Sequence, residues 1–304
     1  MKKNLLILII ILIISVFIYG VFVGTYKTFP YDELDSIKSI VLNEKIDSAQ
    51  QIMIYENNVS ELIHIKNNND IFKLKNNLID FIWKNNGFPD SKLPDSINLD
   101  ISNSLYNDFS NLKRIDQFNI EMEYGVNSIS YLFTPEFSNN KLIIYHQGHD
   151  GDFYKGKETI QFFLEKNYSV LAFSMPLLGM NNQPLVEISN LGTIQLTSHE
   201  HFRFIESSNL SPIKFFLEPI TISLNYLDKN YNFSSYHMIG ISGGGWTVTL
   251  YSAIDDRISE TYSIAGSVPI YLRSISENRG DYEQWLPELY QIANYLDLYI
   301  MSSY

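Results

Sequence analysis

The sequence predicts an α/β protein built on a mostly parallel sheet flanked by helices, preceded by a membrane-spanning segment and a small mixed α/β region. Two observations carry that prediction. From about residue 115 onward, short apolar runs alternate with helix-length amphipathic stretches, as in β-α units wound into a sheet covered on both faces. In addition, 45% of the 304 residues are apolar and 14% are aromatic, which is enough for a substantial core.

The first element lies outside that sheet. After Met1-Lys2-Lys3-Asn4 the chain carries no charge over residues 5–24, a run that as a helix measures roughly 30 Å, the thickness of a bilayer core. A cleaved signal peptide is the competing reading. Its apolar region is usually only about 7–15 residues long, and no small-x-small site precedes Thr28, so residues 1–28 are assigned to a retained anchor. Lys2 and Lys3 before the run, with Asp32 and Glu33 beyond it, place the C-terminal bulk outside the cytoplasm. Cleavage would leave it secreted.

Residues 29–114 form a mixed region that shows no recognisable chemistry. Residues 51–55 and 61–65 read as strands flanking Asn57-Asn58. Asp70 is expected to cap a helix with Ile71, Leu74, Leu78, Phe81 and Ile82 near one face, ending by Gly87 before Pro89. The polar stretch 86–96 is a surface connection, and no internal repeat is visible.

Within residues 115–304, runs 118–124 and 128–134 make an antiparallel hairpin across Gly125-Val126-Asn127. Further strands are expected at 142–145, 169–173, 236–241 and 261–265, with helices at 157–166, at 212–227 around Pro219, and at 244–255. The apolar run Tyr295–Met301 reads as one more strand.

Composition excludes several classes. Lys and Arg total 22 against 34 Asp and Glu, and a net charge of -12 repels a phosphate backbone, so nucleic acid is not a partner. The absence of cysteine removes disulfides, cysteine nucleophiles and thiolate metal sites together.

The chemistry centres on Gly240-Ile241-Ser242-Gly243-Gly244, a G-x-S-x-G motif between a strand and a helix. A serine on so sharp a turn projects above the sheet, and Gly240 and Gly244 allow the strand and helix to approach. A helix N-terminus beside the hydroxyl favours developing negative charge. The same glycines fit no phosphate-binding loop, because Trp246 and Thr247 stand where a lysine is needed.

With this elbow, and with Ala253-Ile254-Asp255-Asp256-Arg257-Ile258 at the end of the following helix, residues 115–304 resemble the α/β-hydrolase superfamily. Residues 266–273, 280–284 and 294–299 are similar to a little-characterised bacterial group within it. The resemblance implies Ser242 as nucleophile, and an oxyanion hole formed by the N–H of Gly243 and a second N–H from the loop Gln147-Gly148-His149-Asp150-Gly151. His149 supplies that second donor if Gln147 stands in for the usual histidine. The side chains of His146 and His149 are expected to serve the loop itself.

The family order is serine, acid, histidine, yet all six histidines, His64, His146, His149, His199, His201 and His237, precede Ser242. With Tyr295–Met301 counted as a seventh strand, the chain halts where the acid loop should begin, lacking the last strand and helix. Three readings compete. The chain is part of a longer protein, which a break inside an architectural unit favours; it is a non-catalytic α/β-hydrolase-fold binding protein; or His149 or His199 substitutes as the base. Asp281 and Glu283 are the acids placed where some relatives carry theirs, though surface charge is the plainer expectation for both.

His199-Glu200-His201 would share a face on a strand, but two ligands are too few for a zinc site, so no metal is assigned. Residues 175–182 through 201 are placed to form a lid or pocket wall, where Leu177, Leu178 and Met180 would suit an apolar acyl or aryl group, and core packing accounts for them equally well. The expectation is a serine hydrolase acting on a small or lipid-like carboxylic ester, without a cofactor, held in the membrane by its N-terminal helix.

Overall fold

The computed structural model describes residues 58–273 and 280–304, together with residues 12, 14–23 and 25. The chain divides into two compact units, Met1–Glu56 and Asn57–Tyr304. In the first, residues 14–23 are helical. Among the described residues no helix is long and apolar enough to cross a membrane. Residues 5–11, 13 and 24 of the expected span, and the strand expected at 51–55, lie outside the described residues.

The second unit opens with a single helical turn, Val59–Leu62, in place of the expected strand at 61–65. The segment after that turn is held elsewhere: His64 donates its backbone N–H to Asp297 at 2.8 Å, so these residues add to no sheet. Helix α1, Asn68–Trp83, starts three residues earlier than expected. Asn67, not Asp70, is the cap, because its extended backbone aims the side-chain oxygen at the N–H of Asn69, while Asp70 bonds back to the N–H of Asn67. Ile71, Leu78, Ile82 and Trp83 form the buried face, and Lys84 ends the helix in the left-handed region.

The main sheet contains β1 (Ser96–Asn98), β2 (Leu112–Glu121), β3 (Asn127–Pro135), β4 (Lys141–His146), β5 (Ser169–Phe173), β8 (Ser235–Ile241) and β9 (Ile258–Ile264), in the order β1-β2-β3-β5-β4-β8-β9. The sheet is mixed rather than mostly parallel. β1, β2, β3 and β5 pair antiparallel in turn, and β5, β4, β8 and β9 pair parallel. The expected hairpin is β2-β3, and the β-α units supply the parallel half. A separate hairpin, β6 (Leu185–Ile188) with β7 (Gly192–Gln195), projects after β5.

Alternation along the central strands builds a core on each face. Leu142 and Ile144 of β4 join the cluster with Phe215, Leu217 and Val248, whereas Ile143 and Tyr145 join the cluster with Ile160 and Leu164. Helix α2 (Lys157–Glu165) thus covers one face, and α3 (Lys214–Asn230) and α4 (Gly243–Ser252) cover the other. Helix α3 runs through Pro219 without a break. Its buried Glu218 accepts hydrogen bonds from Trp83 Nε1 and Lys92 Nζ, each at 2.8 Å, and pairs with Lys214 Nζ at 3.2 Å. The buried charge is thereby compensated where α1 meets α3.

Tyr295–Met301 is helix α5, not a seventh strand. Asn294 caps the N–H groups of Leu296 and Asp297, Asp297 returns a bond to Asn294, and Tyr295, Leu298 and Met301 turn inward at helical spacing. Among the described residues, β9 is therefore the last strand on its side of the sheet.

Candidate active site at the Ser242 turn

Ser242 lies between β8 and α4 with φ 55° and ψ −126°, a conformation that costs a non-glycine residue about 1–3 kcal/mol and that the surroundings must hold. Its N–H donates to Ile264 O on β9 at 2.8 Å, and its carbonyl accepts from Trp246 N at 3.2 Å. The turn demands glycine on both sides. A Cβ on Gly240 would stand 2.2 Å from Gly244 O, and one on Gly244 would stand 2.1 Å from His146 O. Ser242 is exposed to solvent.

Parallel pairing sets His146 of β4 opposite Gly240 of β8, so the loop after β4 runs alongside the turn. The approach is close: a Cβ on Gly148 would lie 2.7 Å from Ser242 Cβ and 3.4 Å from its Oγ. Gln147 spends its side chain on the loop, accepting from Tyr145 OH and donating to Asp150. His146 is buried, donates Nδ1 to Gln147 O at 3.0 Å, and is kept neutral by burial, which pushes its pKa down to about 4.

His149 departs from the local role expected of it. Its Cε1–Nδ1 edge covers Gly243, where an added Cβ would lie 2.2 Å from Cε1 and 2.4 Å from Nδ1. Its Nε2 faces a cluster drawn from two distant segments, with Glu283 Oε1 at 2.9 Å, Asp281 Oδ2 at 3.0 Å and His199 Nδ1 at 3.2 Å. His199 Nδ1 also lies 3.1 Å from Glu283 Oε2, and His199 Nε2 donates to Pro176 O at 3.0 Å. Burial opposes charge on His149, but hydrogen bonds and attraction from Asp281 and Glu283 override it and raise the pKa to about 10. Burial likewise opposes charge on Glu283, and attraction from His199 with hydrogen bonds from both histidines brings it down to about 2.

Three sequence expectations change here. Glu283 is not surface charge; its side chain is fully buried, while that of Asp281 is 46% exposed. His199–Phe204 is a turn of 3-10 helix rather than a strand, so His199 points inward while His201 accepts from Thr197 N, and the two share no site. The donors that do converge on His199 are His149, Asp281 and Glu283, a set that counting ligands around residue 199 could not assemble. Glu283 turns inward because Asp281 begins the short helix Tyr282–Trp285 and the buried Tyr282 anchors it against Phe202. Met175 and Leu177 of the expected pocket wall are buried in the main core.

No protein-family model matches the chain, and no curated protein matches it. Among solved structures it is similar to an acetyl xylan esterase from Paenibacillus sp. R4, at 14% identity and a TM-score of 0.49 over 80% of this chain and 79% of that one. It is similar to acetyl xylan esterase 1 from Thermoanaerobacterium sp. JW/SL YS485, at 15% identity and a TM-score of 0.44 over 64% and 57%. A Pyrococcus furiosus esterase is matched at 16% identity and a TM-score of 0.39 over 58% of this chain and 56% of the esterase, so the chain spans just over half of that protein. At such identities the reading of the site rests on its own geometry.

Proposed function

We propose that this protein is a serine hydrolase that cleaves carboxylic esters through an acyl-enzyme on Ser242. The observation that carries the proposal is the strained, glycine-flanked turn that holds an exposed serine between strand and helix with the 147–149 loop against it. Ser242 Oγ attacks the ester carbonyl as its proton passes to solvent water, to which the side chain is exposed, and the negative charge that develops on the carbonyl oxygen is held by the N–H groups of Gly243 and His149. Collapse expels the alkoxide, which takes a proton from water and leaves as the alcohol; a water then attacks the acyl group, giving up a proton to solvent, and the acid departs as Ser242 is restored.

His149 turns Nε2 to Glu283, Asp281 and His199 and lays its Nδ1 edge over Gly243, so its ring is committed to the loop rather than to the serine proton. Esters are favoured over amides because an alkoxide leaves more readily than an amine, which needs protonation by a positioned acid. The chain should hydrolyse p-nitrophenyl acetate above background with an acetyl group taken up on Ser242, and Ser242→Ala should lose the acetylation and fall to the rate that an oxyanion hole and binding alone sustain. Equal rates for the two proteins would favour the alternative, a non-catalytic binding protein.

The apolar run over residues 5–24, with Lys2 and Lys3 before it, supports placing this activity at the outer face of a membrane. Fractionation of cells expressing the full chain tests this, with carbonate-resistant membrane association expected and release into the soluble fraction counting against it.

A further inference from the structure

We propose that His149, His199, Asp281 and Glu283 together bind one divalent transition-metal ion. Binding there is independent of Ser242 chemistry, because the serine supplies no ligand.

One donor atom from each residue lies within 4.8 Å of every other, and the close contacts, made through both Glu283 oxygens, are 2.9–3.2 Å. Four ligands each about 2.0–2.2 Å from a zinc ion are separated by roughly 3.2–3.6 Å in a tetrahedron. The observed spacings need small adjustments, and Asp281, half exposed, is free to make the largest.

Hydrogen count favours an ion over protons. His199 Nε2 faces the carbonyl of Pro176, which only accepts, so that nitrogen carries a hydrogen. In a neutral ring His199 Nδ1 is then a bare lone pair, and it points at Glu283 Oε2 and His149 Nε2. His149 Nε2 has at most one hydrogen for three neighbours. Protons satisfy the cluster only if His199 is charged or Glu283 is protonated, with the His199 side chain 3% exposed and that of Glu283 0%. A single divalent ion meets all four lone pairs at once and neutralises the two carboxylates.

The surroundings are those of a ligand set. A metal-bound histidine normally donates its other nitrogen to a carbonyl or carboxylate, as His199 does to Pro176 O. Two imidazoles and two carboxylates without a thiolate suit zinc, manganese or iron(II). The donors come from the loop after β4, the 3-10 turn after β7 and the helical turn at 282–285 with the Asp281 that precedes it. An ion would thus tie the 147–149 loop, which borders Ser242, to two segments distant in sequence. With Nε2 on the ion, His149 carries its ring hydrogen on Nδ1, the edge that covers Gly243.

The test is zinc binding by the full chain, followed by calorimetry and by elemental analysis after desalting. One equivalent is expected, with a rise in Tm that EDTA reverses. His199→Gln and Asp281→Asn should each weaken binding about tenfold or more. Asp281 is partly exposed, so its variant should fold even if a buried substitution does not. Ser242→Ala should bind zinc like the parent whether or not the chain hydrolyses esters. Substoichiometric binding of zinc, manganese and iron(II) alike, or equal affinity in the Asp281→Asn variant, would overturn the proposal.

Discussion

Glu283 has no exposed side-chain area and two imidazoles against it, so its removal leaves those rings with only the half-exposed Asp281 as a carboxylate partner. Glu283→Ala is expected to destabilise the protein by about 3–5 kcal/mol, read as a shifted denaturation midpoint. His146 gives a pH signature. Its ordinary pKa of 6.5 falls to about 4 in the folded protein because burial penalises the charged ring. Above 6.5 both states are neutral and stability is full. Between 6.5 and 4 the unfolded chain binds the proton and the folded chain does not, so stability falls across that window, by about 3 kcal/mol in all. His146→Gln should flatten this part of the stability profile measured by urea unfolding at pH 7 and pH 4.5; an unchanged slope would mean that His146 is not kept neutral. At this scale the sequence made Ser242, Gly240 and Gly244 legible, because their motif is local. The partners of His149 were not legible, since Glu283 lies 134 positions away and nothing in its neighbourhood announces burial.

The turn between β8 and α4 depends on backbone approach. With a Cβ placed about 2 Å from carbonyl oxygens in either case, Gly240→Ala and Gly244→Ala should each cost more than the roughly 1–3 kcal/mol typical of overpacking, and circular dichroism melts would show it. Helix α5 was misread because Tyr295–Met301 is short and apolar, and strand and helix are not separable by composition at that length. The distinguishing signal was the pair Asn294 and Asp297, which caps a helix and has no use in a strand. Asn294→Ala should cost about 1 kcal/mol through that cap alone. The β2-β3 hairpin and the β-α units were readable because alternation and helical periodicity differ over their longer runs.

Across the second unit, two features tie distant parts of the chain together. Asp297 on α5, with no exposed side-chain area, accepts from His64 N and pairs with His64 Nδ1, both at 2.8 Å, which joins the segment before α1 to the last helix. The mixed sheet then sets β4 beside β8, and that pairing, rather than sequence proximity, brings the 147–149 loop to Ser242. Strand order could not be read from periodicity, which tells what each strand is but not what lies next to it. Among the described residues β9 lies at the sheet's edge and exposes Tyr262 and Ile264, a template for pairing with another chain. Ile264→Lys should reduce concentration-dependent association in light scattering.

The claim that Ser242 is a reactive nucleophile is tested most directly by treating the full chain with a fluorophosphonate probe and locating the adduct by mass spectrometry. The account predicts an adduct on Ser242 that is absent from Ser242→Ala; a folded chain that takes up no probe, or takes it up elsewhere, would contradict it.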